Sequence, residues 1–214
     1  MFQITNFLLM NQANIPFVVY SESTPNPASM KFVANHLLAE GTAVEYNKNS
    51  NLTNSPIAVK LFHLPFVSGI FISGNFITIT KNESVEWADV VNEVRCFIQD
   101  YLREGNKIFN TQEKSNRNLS NSNNIPNTDI PILNPENPEL NQKISNILDE
   151  YIKPGVESDG GAIDFKSFQK GIVTVTLRGA CSGCPSSTVT LKAGIESILK
   201  RLVPEVKEVV AQEL

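Results

Sequence analysis

The chain has 214 residues, 41% of them hydrophobic, and a formal net charge of −4, enough for one large or two small folded domains. No basic block hides in that total: residues 1–105 carry 6 Lys and Arg against 9 Asp and Glu, and residues 138–214 carry 9 against 10. Nucleic-acid binding therefore has no electrostatic support, and no apolar run approaches the ~18 residues of a membrane span.

Residues 1–16 hold a small apolar cluster, Phe7-Leu8-Leu9-Met10, and read as an extension leading into the first strand. Phe17 to Glu22 is β-rich, Thr24-Pro25-Asn26-Pro27 is a turn, and Ser29 to Ala34 alternates Met30, Phe32 and Ala34 against Ser29, Lys31 and Val33, which predicts a β-hairpin. Thr42 to Tyr46 reads as a short strand. Ser55-Pro56 opens a helix, with serine as cap and proline in the first position, and Ala58, Leu61 and Phe62 form its buried face. Val67 to Ile72 and Phe76 to Thr80 are two β runs joined by Ser73-Gly74-Asn75. Between Ser84 and Glu104 the spacing of Trp87, Val91, Val94, Ile98 and Tyr101-Leu102 predicts a helix, with Gly105 placed to end it.

The pattern then collapses. Ten of the thirty-two residues from Asn106 to Asn137 are Asn, with Pro126, Pro131 and Pro135 among them. This composition predicts a flexible linker over 106–137 between a domain at 1–105 and another at 138–214. The second domain opens with Asn137-Pro138-Glu139, and Leu140, Ile144, Ile147-Leu148 and Tyr151-Ile152 give it a helix until Pro154-Gly155 stops it. After Ser158-Asp159-Gly160-Gly161, strands over Ala162 to Phe168 and Ile172 to Arg178 turn at Gln169-Lys170-Gly171 and pair antiparallel. Leu191, Ile195, Ile198-Leu199 and Leu202 mark a second helix, and Val206 to Val210 a last short strand. The fold class is α+β, two small domains, the second a sheet of about three strands with two helices.

Between the last two strands lies Gly179-Ala180-Cys181-Ser182-Gly183-Cys184-Pro185-Ser186-Ser187. Pro185 fits the first position of the helix, which makes Cys184 its cap and puts Cys181 in an exposed loop just before it. The positive end of the helix dipole favours thiolate, the form that ligates metal and attacks disulfides. The chain has three cysteines, whereas a cysteine-only metal or iron-sulfur site takes four thiolates, so this pair supplies half a site. Three readings remain open at this point: an iron-sulfur ligand pair, a redox dithiol, and a zinc site shared by two chains. The redox reading needs a thioredoxin-like βαβ framework, and too little chain follows the motif to complete one. Cys96 reads as a small packing residue beside the apolar face of its helix. His36 and His63 stand far apart with no ligand cluster around them, Trp87 and the Phe residues read as core, and Asp159 reads as a turn former.

Asp159-Gly160-Gly161, the two strands, the cysteine motif with its flanks and the following helix resemble the C-terminal domain of NifU-like (Nfu-type) iron-sulfur proteins. Residues 17–104, with Ser23-Thr24-Pro25-Asn26-Pro27, Met30-Lys31-Phe32, Ser68-Gly69-Ile70-Phe71 and Phe76-Ile77-Thr78-Ile79-Thr80, are similar to the Nfu N-terminal domain. The resemblance implies that Cys181 and Cys184 hold half of a 4Fe-4S cluster. Two chains would share it as a homodimer, with 2Fe-2S equally possible for four cysteines. It implies a scaffold or carrier rather than an enzyme, with cluster assembly machinery and apo iron-sulfur proteins as partners. The family's first domain carries no comparable ligand motif, which implies docking or modulation for residues 17–104. The cysteine usage points to a reducing compartment. The first thirty residues contain no Lys or Arg, so the cytoplasm is the expected location.

Overall fold

The computed structural model describes residues 16–110, 137–182 and 185–212. The apolar cluster at residues 7–10 and most of the stretch read as a linker lie outside the described residues.

Strands β1 (Val19–Ser23) and β2 (Ser29–Ala34) form the first hairpin. They are followed by β3 (Ala39–Asn47), α1 (Pro56–Phe62), the β4 (Val67–Gly74) and β5 (Phe76–Lys81) hairpin, and α2 (Trp87–Arg103). The five strands make one antiparallel sheet in the order β1-β2-β5-β4-β3. Period-two alternation gives this sheet two apolar faces. Phe32, Ile70, Ile72, Ile77 and Ile79 point to the helices, where they meet Ile57, Ala58 and Leu61 of α1 and Trp87, Val94 and Ile98 of α2. Val33, Phe71 and Phe76 point the other way and cluster with Ala162 of the second domain. Both ends of the helix signals read from sequence are in place. The Ser55 hydroxyl caps α1 by accepting from the Ala58 amide at 3.4 Å while donating to the Ile108 carbonyl at 3.1 Å, and Gly105 follows α2 in the left-handed region at φ +74°.

In the second domain, β6 (Gly161–Gln169) and β7 (Ile172–Gly179) pair antiparallel, and β8 (Glu208–Gln212) lies parallel to β7 on its other side. The β6–β7 turn places Lys170 and Gly171 at φ 51° and 87°, and the Gly171 carbonyl accepts from Lys207 and Glu208, which docks the start of β8. Helix α5 (Pro185–Leu202) connects β7 to β8, so these three elements are a βαβ unit. The earlier expectation that the chain is too short for such a unit is incorrect: a five-residue strand suffices after an eighteen-residue helix.

The first helix of this domain also runs on where the sequence predicts a stop. α3 (Pro138–Ile147) passes through a π-helical stretch, Leu148–Ile152, into α4 (Lys153–Ser158). Pro154 sits in the first turn of α4, the position at which a helix tolerates proline best. The wide turn before it takes up the mismatch. Ile144, Leu148, Ile152 and Val156 all reach the core with Ile163, Leu177, Ile195 and Leu199.

Ser55 is fully buried and holds both a helix cap and the segment after α2. Ser55→Ala is expected to cost about 1–2 kcal/mol and to lower the melting of the first domain by roughly 5–10 °C in a thermal scan by circular dichroism; an unchanged melt contradicts this role.

Candidate metal centre at the strand to helix joint

β7 ends at Gly179 and α5 begins at Pro185, so the cysteine motif sits where the sequence places it, between a strand and the N-terminus of a helix. Gly179 turns the chain at φ +67°. The Ser182 amide donates back to the Gly179 carbonyl at 3.1 Å, and the Ala180 amide to the Gly160 carbonyl at 3.2 Å. Cys184, the second expected ligand, lies outside the described residues together with Gly183.

Cys181 corrects the expectation of an exposed loop. It is only 5% exposed and belongs to the core of the second domain. The Gly-Gly pair explains how a thiol fits there. Gly161 lies opposite Gly179 in the β6–β7 register, and a Cβ on it would fall 2.7 Å from the Cys181 Sγ and 2.7 Å from the Arg178 carbonyl oxygen. Only a residue without a side chain lets the sulfur rest on that strand.

Gly160 serves a different neighbour. A Cβ there would lie 2.8 Å from the Thr78 Oγ1 of the first domain, and one on Gly179 would lie 2.8 Å from the Phe71 ring. These contacts belong to a junction in which the outer face of the first sheet covers the loops around Cys181. Thr78 donates from its hydroxyl to the Gly160 carbonyl at 2.7 Å, and the Lys31 ammonium donates to the Ser158 carbonyl at 3.1 Å while paired with Glu22. Arg178 donates to the Ala43 carbonyl and pairs with Asp164. The Gly179 amide donates to the Glu45 carboxylate at 3.2 Å. The Asn26 Nδ2 donates to the Ala180 carbonyl at 3.1 Å and, more weakly, to the Ser182 carbonyl at 3.5 Å.

Asn26, Thr78 and Glu45 were not legible as neighbours of the site. In sequence Asn26 is a turn residue, which it also is, since its Oδ1 accepts from the Ala28 amide. Its other partner is 154 positions away, and no local pattern encodes a contact of that range.

The remaining candidates stay apart from this loop in role. Cys96 is exposed, with its Sγ 3.3 Å from an Arg95 nitrogen, so the packing role read from sequence is incorrect; the residue projects from the side of α2 away from Val94 and Ile98. His36 stacks on Phe17 and its Nδ1 lies 2.7 Å from the Asn35 Oδ1, and His63 caps the C-terminus of α1. Asp159 ends α4, its amide bonded to the Gly155 carbonyl. Among the described residues no three His, Cys, Asp or Glu side chains gather in a metal-binding group.

The arrangement has known counterparts. The family description "Scaffold protein Nfu/NifU N terminal" matches residues 19–105, and "NifU-like domain" matches residues 144–210. The chain belongs to the Nfu/NifU family. Proteins named "NFU1 iron-sulfur cluster scaffold homolog, mitochondrial" in Drosophila sechellia and Drosophila virilis are 35% and 36% identical to it over 192 residues, 89% of this chain. The chain spans 63% and 60% of the length of these Nfu relatives. A NifU-like protein from Saccharomyces cerevisiae, solved by NMR, aligns at 22% identity over 46% of this chain and 87% of its own, with a TM-score of 0.41. The relatives' names overturn the expectation of a cytoplasmic location. That expectation rested on the absence of Lys and Arg near the start of the chain, a weak ground where the relatives are much longer.

Gly161 and Gly194 separate steric need from mere composition, since nothing lies within 4 Å of a Cβ at Gly194. Gly161→Ala is expected to destabilise the second domain by about 1–3 kcal/mol through overpacking, whereas Gly194→Ala, inside α5, stabilises it by about 0.5–1 kcal/mol. Chemical denaturation of the two variants checks the sign of each; equal effects would remove the special role of Gly161.

Proposed function

We propose that this Nfu-type chain is a scaffold and carrier that holds an iron-sulfur cluster through Cys181 and Cys184 and passes it to apo-proteins. The observation that supports this most is the position of the cysteine motif at the joint of β7 and α5, inside the stretch that matches the NifU-like domain. The cluster is cargo, not a resident cofactor. Two thiolates per chain satisfy half of a four-thiolate site, and a second copy of the chain supplies the other half. A cluster gripped at such a boundary leaves by thiolate exchange with the recipient, which needs no change in oxidation state. The cluster is of the 4Fe-4S type, the partners are a second copy, the assembly machinery and recipient apo-proteins, and no bond-making catalysis is assigned to the chain. The word mitochondrial in the relatives' names supports a mitochondrial setting for this activity.

Anaerobic reconstitution with iron and sulfide is expected to give about two of each per chain. About one of each marks the 2Fe-2S form. Cys181→Ala abolishes loading, while Cys96→Ala, on the exposed side of α2, leaves it unchanged. A full cluster on each chain, or loading that survives Cys181→Ala, contradicts the shared half-site. Zinc near half an equivalent without sulfide supports a zinc-bridged pair instead.

One observation favours a second reading. The β7-α5-β8 unit with a CxxC before its helix is the setting of thioredoxin-like dithiols. Reduction of insulin disulfides distinguishes the two: the scaffold reading expects no turnover above a thiol blank, and turnover that vanishes with Cys181→Ala establishes the redox one.

A further inference from the structure

Of the junction contacts, two reach the backbone of the cysteine loop itself. Asn26 donates to the carbonyls on both sides of Cys181, those of Ala180 and Ser182, and Glu45 accepts from the amide of Gly179. Phe71 lies against Gly179 so closely that no side chain fits between them. In this setting Cys181 faces the core of its own domain and is 5% exposed. A thiol buried against Gly161 is not open to a metal shared with another chain. To ligate, the sulfur must turn outward, and because Asn26 holds the carbonyls of the residues on either side of it, the loop must leave Asn26 first.

We infer that the first domain is an intramolecular latch on the cysteine loop, holding Cys181 in a buried, unreactive setting until the loop is released. The use made of the freed thiol rests on the function proposed above; the latch is a property of the metal-free chain. Thr78 and Lys31 grip the facing loop through the carbonyls of Gly160 and Ser158, so both loops that enclose Cys181 are held from the same sheet face. Each hydrogen bond removed shifts such an opening equilibrium by roughly twofold to tenfold, and thiol modification follows the population of the opened state.

Asn26 separates latch from fold, because its two ends do different work. Asn26→Asp keeps the oxygen that accepts from Ala28 and replaces the donor with a carboxylate oxygen facing two carbonyls. Thr78→Val keeps the shape of a side chain that is 1% exposed and deletes only its hydroxyl. The test is iodoacetamide labelling of the reduced, metal-free full chain, with Cys181 and Cys96 followed separately by peptide mass spectrometry. In the wild type, Cys181 is expected to label at least tenfold more slowly than the exposed Cys96. Asn26→Asp should accelerate Cys181 roughly tenfold, Thr78→Val by a smaller factor, and neither should change Cys96. Should Asn26→Asp lose the wild-type circular dichroism spectrum, Thr78→Val decides. Wild-type Cys181 labelling as fast as Cys96, or an unchanged Cys181 rate in the folded variants, overturns the latch. No iron enters this experiment, so its failure is distinct from a failure to load a cluster.

Discussion

Two consecutive glycines set the conditions for everything around the cysteine motif. Without a side chain at 161, the Cys181 sulfur rests against β6, and without one at 160 the first domain comes within hydrogen-bonding distance of the same strand's start. The pair faces two ways, one glycine serving the core of the second domain and the other the junction. Gly179, opposite Gly161 in the register, completes the arrangement by turning the chain at positive φ beneath Phe71. A methyl group at 161 or 179 would meet backbone or an aromatic ring, and one at 160 the Thr78 hydroxyl, which is why the loops meet in this way and not at some greater distance.

The first domain is shaped by the demand this makes on it. Its sheet has helices on one face and the second domain on the other, so β2 and β4 carry apolar residues on both sides: Phe32 and Ile70 toward α1 and α2, Val33 and Phe71 toward the junction. Thr78 and Lys31, buried polar residues on that outer face, find their partners in backbone carbonyls of the second domain. Such groups are costly to bury unpaired, so the junction is specified by polar pairing as well as by apolar area. The family's separate first domain thereby acquires a physical role at the cysteine loop although it contributes no cysteine to it.

Much of this was legible in the chain itself. The hairpins at Thr24-Pro25 and Ser73-Gly74, the cap at Ser55-Pro56, the stripe of α2 and the placing of the cysteine motif between strand and helix all follow from local periodicity and turn chemistry. What escaped has one cause in each case. Pro154-Gly155 failed to stop a helix because a π-helical stretch and packing by Ile152 and Val156 carried it past the break. Cys181 looked exposed because Gly, Ser and Pro describe a loop but not what lies on either side of it. Asn26 looked like a turn residue because its second partner comes from the other domain. Cys96 looked like packing because adjacency to an apolar stripe does not fix which side of the helix a residue faces.

On the proposed function the cysteine pair supplies half of a four-thiolate site, and a half-site is completed only by association. Sedimentation velocity under anaerobic conditions, with cluster absorbance and protein absorbance followed in the same cell, tests this most directly. The account predicts that all cluster absorbance travels with a species of twice the chain mass, and that Cys181→Ala removes both the absorbance and that species. Cluster absorbance sedimenting with a single chain would contradict it.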